Sequence, residues 1–128
     1  MEIRQFRVVL RAHDFDRTCS FYGETLALPR LQSWDRENGR GALYQAGTGV
    51  IEVLGRAHSD GTGRDERFDY QGPDQKLEIV LLVASAEKAY EEILFRNRNI
   101  PGGLRPDSDG TIVFGTHDPD GVRILFRG

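Results

Sequence analysis

The chain has 128 residues, 38% hydrophobic and 29% charged, with a formal net charge of −3 at pH 7. That length suits one compact domain whose core needs no disulfide, and the lone Cys19 has no partner with which to form one. The acidic balance excludes the broad basic face of a nucleic-acid binder, and the longest apolar run, 79–84, is far short of the roughly 20 residues of a membrane span.

Taken in chain order, residues 6–14 read as a strand that ends on Asp14, a helix N-cap type. A helix follows, with Phe15, Cys19, Tyr22 and Leu26 on one face, and Leu28-Pro29 stops it. Strand signals come next at 30–35, 42–46 and 50–56, separated by Glu37-Asn38-Gly39 and Gly47-Thr48-Gly49. The stretch 58–75 is almost wholly polar and reads as either an exposed linker or a lid. The pattern then begins again. A shift of 71 residues lays Leu77 to Ser85 over Phe6 to Asp14, and Ser85 takes the capping place. The second helix presents Ala86, Ala89, Tyr90, Ile93 and Leu94 on one face and stops at Ile100-Pro101-Gly102-Gly103. A weak strand around 103–105 and two firmer ones at 111–117 and 122–127 complete it, the last two joined by the turn Asp118-Pro119-Asp120-Gly121. The chain reads as α+β, strand-helix-three strands done twice, within one domain over 1–128: module one about 1–57, linker about 58–75, module two about 76–128.

The pattern Asp14-x6-Phe21-Tyr22-x3-Leu26-x-Leu28-Pro29 after a strand, with His117-Asp118-Pro119-Asp120-Gly121 before the last strand, resembles the vicinal oxygen chelate superfamily. That superfamily groups glyoxalase I, bleomycin-resistance proteins, extradiol dioxygenases and fosfomycin-resistance enzymes. The resemblance covers nearly the whole chain. It implies two βαβββ modules whose curled mixed sheets form a cleft, usually in a homodimer. It also implies, for the enzymes, a divalent metal held by four side chains, one each from the first and last strand of each module. Those positions fall here on Arg7, Glu52, Glu78 and Leu125, with 45 residues between the first pair and 47 between the second.

Alternation agrees on the faces. Phe6, Val8, Leu10 and Ala12 are expected under the first helix, opposite Arg7, Val9 and Arg11. Ile51 and Val53 flank Glu52, Ile79 and Leu81 follow Glu78, and Ile124 and Phe126 flank Leu125 in the same way. Arginine has no lone pair for a metal and leucine offers none, while two carboxylates alone suit Zn²⁺, Fe²⁺ or Ni²⁺ poorly. The expectation is therefore no metal and no other cofactor. Arg7 either takes the place of the cation by bridging to Glu52 or Glu78, or forms a plain cross-strand ion pair without a ligand role.

Other chemistry is thin. Cys19 sits on the apolar helix face as a small hydrophobe, and His13 and His117 read as exposed turn histidines, with His58 in the linker. The 15 arginines against 2 lysines are scattered and reflect composition more than a binding patch. The glycine-rich stretches lack a phosphate-binding signature. Trp34, Tyr44 and Phe114 fall in the region that lines the cleft in the resembled family and suit a flat aromatic ligand.

Two functions follow. One is a bleomycin-resistance-type protein that sequesters a hydrophobic, aromatic or cationic small molecule through Arg7, Trp34, Tyr44, Glu52, Glu78, Phe114 and Leu125. The other is an enzyme, a glyoxalase-like lyase or isomerase or a dioxygenase, with a divalent metal. The four aligned positions sum to −1, with Arg11, Arg123 and Arg127 further out, which favours a neutral or cationic ligand. The expected partners are that small molecule and a second copy of the chain, with no nucleic acid and no membrane. With one cysteine and no apolar leader after Met1, the expected location is the cytoplasm.

Overall fold

A computed structural model describes residues 2–57, 77–97, 100–107 and 110–128. The stretch read as a linker or lid, 58–75, lies outside the described residues. The chain divides into two compact units, Met1–Gln71 and Gly72–Gly128. No helix among the described residues is long and apolar enough to cross a membrane.

The first unit runs β1 (Arg7–Arg11), α1 (Phe15–Ser20), a π-helical turn (Phe21–Thr25), β2 (Arg30–Arg36), β3 (Gly39–Ala46) and β4 (Gly49–Gly55). Its strands form one sheet in the order β1-β4-β3-β2, with β1 parallel to β4 and the other pairs antiparallel. The second unit repeats the plan: β5 (Glu78–Leu82), α2 (Ala86–Asn97), β6 (Arg105–Pro106), β7 (Ile112–His117) and β8 (Arg123–Arg127), ordered β5-β8-β7-β6. Both units are βαβββ, as the repeat requires. The α+β reading holds.

Both helices begin where the capping residues place them. Asp14 Oδ1 accepts from the N–H of Arg17 at 3.2 Å, and Ser85 Oγ accepts from the N–H of Lys88 at 3.2 Å. The first helix does not keep the expected face. Leu26 N–H bonds to Phe21 O, five residues back, and the wider turn rotates the face it buries. Phe15, Thr18, Phe21 and Tyr22 are buried, whereas Cys19 is half-buried and Leu26 is not in the core.

One side of each sheet is packed under its helix. In the first unit Leu10, Ala12, Ala42, Tyr44, Ile51 and Val53 fill it, and Phe15 lies so close on Gly55 that a Cβ there would come within 2.6 Å of its Cβ. Phe6, expected in this set, is 70% exposed, because it precedes β1. In the second unit Ile79, Ala86, Ile93, Phe114, Thr116, Ile124 and Phe126 pack together, and Phe114 stacks on Phe126 with centroids 4.6 Å apart. Leu94 reaches the surface at 37% exposure, since α2 is one residue past its buried stripe there.

Candidate functional site

The face of the first sheet turned away from α1 is set out by the strand register. Arg11, Leu54, Gly41 and Trp34 form one cross-strand row; Val9, Glu52, Leu43 and Gln32 form the next; Arg7, Val50 and Gln45 form the third. Two features stand out on this face. Arg7 Nη1 donates to Glu52 Oε1 at 2.7 Å, while its Nε and Nη2 donate to Gln5 Oε1. The Glu52 side chain is 15% exposed and that of Arg7 38%, so the pair is half-sheltered. In the first row the Trp34 indole lies directly on Gly41: a Cβ on Gly41 would meet three of its ring atoms, the nearest at 2.0 Å. Only glycine leaves room for that ring position.

The second unit carries equivalent positions. Arg7 faces Val50 across the ladder and Glu78 faces Arg123; Val9 faces Glu52 and Val80 faces Leu125. The register thus aligns Arg7 with Glu78 and Glu52 with Leu125, the pairs that the resemblance implied. The chemistry differs between them. Glu78 Oε2 takes its ion pair from Arg123 Nε at 3.4 Å, directly opposite, and Leu125 is buried beside Gly115. Arg123 therefore does not lie apart from the aligned positions: each carboxylate of the four has its own guanidinium, and the surplus of −1 read from the sequence is cancelled within the sheets. His117, read as a turn residue, ends β7 opposite Arg123 and so shares the exposed Glu78–Arg123 row. Alternation along β7, with Phe114 and Thr116 buried, is the signal that would have placed it.

Tyr44 and Phe114 lie on the other face. Tyr44 pairs with Ile51 and Phe114 with Phe126, both residues of the helix-covered side, so antiparallel pairing forces them inward. Tyr44 is 2% exposed, and its hydroxyl donates to the carbonyl of Cys19 at 3.2 Å. Burial pushes its phenol well above the ordinary value, with the neighbouring Cys19 adding to the rise and Arg30 opposing it. Burial likewise raises the Cys19 thiol, against the Tyr44 hydroxyl that would favour the thiolate. Phe114 is fully buried, with Tyr90 edge-on at 5.4 Å and Phe126 stacked. Of the three aromatic candidates, Trp34 alone is on a face turned away from the helix.

The four aligned positions do not fit a transition metal. Arg7 is a donor of hydrogen bonds, Leu125 is hydrocarbon, and Glu52 and Glu78 are each engaged by a guanidinium. Among the described residues no group of three or more His, Cys, Asp and Glu side chains is placed to hold an ion.

Comparison with known proteins agrees with the topology. The crystal structure of a glyoxalase family protein from Enterococcus faecalis superposes with a TM-score of 0.66 at 19% identity, covering 99% of this chain and 97% of that one. TioX from Micromonospora sp. ML1 gives 0.71 at 17% identity, covering 96% of each chain. The trypanothione-dependent glyoxalase I of Leishmania major gives 0.69 at 19% identity, covering 99% and 87%. These likenesses establish a shared fold. No curated protein sequence matches the chain. The family model for the glyoxalase/bleomycin resistance protein/dioxygenase superfamily matches residues 4–126, and with the doubled βαβββ topology this makes the chain a member of that superfamily.

Proposed function

We propose that this superfamily member binds and sequesters a planar, largely apolar small molecule without altering it, as a cytoplasmic homodimer and without a metal. The observation that supports this most is the Trp34 indole laid over Gly41 on the face away from α1, in a row with Leu54. An aromatic plane on a sheet, with an aliphatic neighbour, is a stacking surface for another plane. The donor set argues in the same direction, because Arg7 and Leu125, at the positions the resemblance gives to metal ligands, offer no lone pairs. Paired charges also change the expected ligand. With Glu52 and Glu78 both neutralised, the attraction for a cation disappears, and a neutral aromatic compound is favoured over either ion.

The test uses Trp34, the sole tryptophan, as its own reporter. A screen of neutral planar natural products is expected to quench its fluorescence, with the compound recovered unchanged and elemental analysis of the protein showing no stoichiometric Zn, Ni, Fe or Mn. Trp34→Ala should weaken binding by about 1–3 kcal/mol, the range for losing a stacking partner. Recovery of an altered compound, or a stoichiometric metal, overturns this reading in favour of a glyoxalase-like or dioxygenase-like enzyme.

A further inference from the structure

A cavity of about 410 Å³ lies on the opposite side of the first sheet from Trp34, between the helical segment and the start of β2. Its walls differ in sign. Asp16 and Glu24 line it from α1 and the π-helical turn, Arg30 lines it from the first position of β2, and the Tyr44 side chain contributes between them. Asp16 is paired with Arg40 of β3 at 3.3 Å, whereas Glu24 Oε2 accepts from Ser20 Oγ at 3.0 Å and is held along the helical wall. Among the described residues no ion pair within 4.0 Å joins Arg30 to either carboxylate. The opposite charges share one cavity without closing on each other.

We infer that this cavity is a binding site for a small zwitterion of amino-acid size, whose ammonium group meets Glu24, since Asp16 is already paired with Arg40, and whose carboxylate meets Arg30. A ligand with a single charge is placed next to a like charge here: an amine next to Arg30, an anion next to Glu24. Only a dipolar ligand finds both walls complementary, and the planar guanidinium of Arg30 is suited to take a carboxylate on two N–H groups. The backbone supports the opening. The π-helical turn carries Gly23 into the lining, where a Cβ would come within 3.0 Å of Tyr44 Cε1 and push the ring or the turn aside. The site is independent of the reading for Trp34, since it lies across the sheet and uses none of the same residues.

Leucine, leucinamide and N-acetylleucine separate the three charge types with one side chain. Heteronuclear NMR titration of the whole protein is expected to show leucine moving the amide signals of Ser20, Gly23, Glu24 and Tyr44. Leucine should bind at least about tenfold more tightly than leucinamide or N-acetylleucine, since each analogue loses one charged contact. Arg30→Gln should abolish the advantage of leucine over leucinamide, and Glu24→Gln should reduce its advantage over N-acetylleucine. Both side chains are exposed, so both variants should fold. Equal or tighter binding of either singly charged analogue, shifts confined to other residues, or no shift with leucine overturns the inference.

Discussion

Oδ1 of Asp118 accepts from two backbone N–H groups, those of Asp120 and Val122, at 2.8 Å each, while the Asp118 backbone bonds to Val122 and Gly121. The residue is 4% exposed, so those N–H groups have little access to water when the carboxylate is removed. Asp118→Ala should therefore destabilise the protein by about 2–3 kcal/mol in urea unfolding, and Asp118→Asn, which keeps an acceptor, by about 1 kcal/mol. Cys19 and Tyr44 make a second prediction at this scale. Both are raised above their ordinary values of 9.0 and 10.0 by burial, so the unfolded chain ionises first as pH increases. Their contribution to stability is complete below pH 9 and declines above it, first through the thiol and then through the phenol. Urea midpoints measured from pH 7 to 11 should fall in wild type, and Cys19→Ala should show a smaller fall between pH 9 and 10. An unchanged slope in the variant would exclude the thiol as a source.

Among the elements, the first helix departs furthest from its sequence pattern. A regular helix puts Phe15, Cys19, Tyr22 and Leu26 on one stripe, but the five-residue hydrogen bond at Phe21 turns Phe21 and Tyr22 inward together. Tyr22 is fully buried, edge-on to Phe21 at 5.0 Å, and tilted against Tyr44 at 6.4 Å. The helical segment leaves through Ala27, at φ 55 the one non-glycine residue described in the left-handed region. Alanine is strained there, and the following Leu28-Pro29 gives the chain no helical alternative. Ala27→Gly should raise stability by about 0.5–1 kcal/mol, read as a higher urea midpoint with an unchanged slope. The strand ends need no such correction, because Gly47 at φ 61 and Gly121 at φ 86 supply the turns that β4 and β8 follow.

Across the molecule, β1 and β5 each stand at an edge of their sheet. Exposed apolar groups lie on or ahead of those edges: Val9 in β1 with Ile3 and Phe6 before it, and Val80 and Leu82 in β5 with Leu77 before it. Surface of this kind on an unpaired edge favours association, which agrees with the homodimer proposed above. Sedimentation at micromolar concentration should give a mass of twice 14.4 kDa, and a mass of 14.4 kDa would contradict it.

The doubled βαβββ order was legible in the residues because it rests on local signals: the two N-caps, the Leu28-Pro29 stop, the glycine turns and the period-two strands. The alignment of Arg7 with Glu78 followed from the 71-residue repeat, and that of Glu52 with Leu125 from the family resemblance, since the two modules differ by two residues over this stretch. What the sequence could not supply was which partner each strand residue meets. Tyr44 and Phe114 turn inward because Ile51 and Phe126 oppose them, and Glu78 is neutralised because Arg123 stands across from it. Trp34 and Gly41 are seven residues apart along a hairpin, yet in space one exists on the terms of the other. Pattern along a strand fixes only that neighbours alternate; cross-strand pairing decides which face is covered, and that choice is made by tertiary packing.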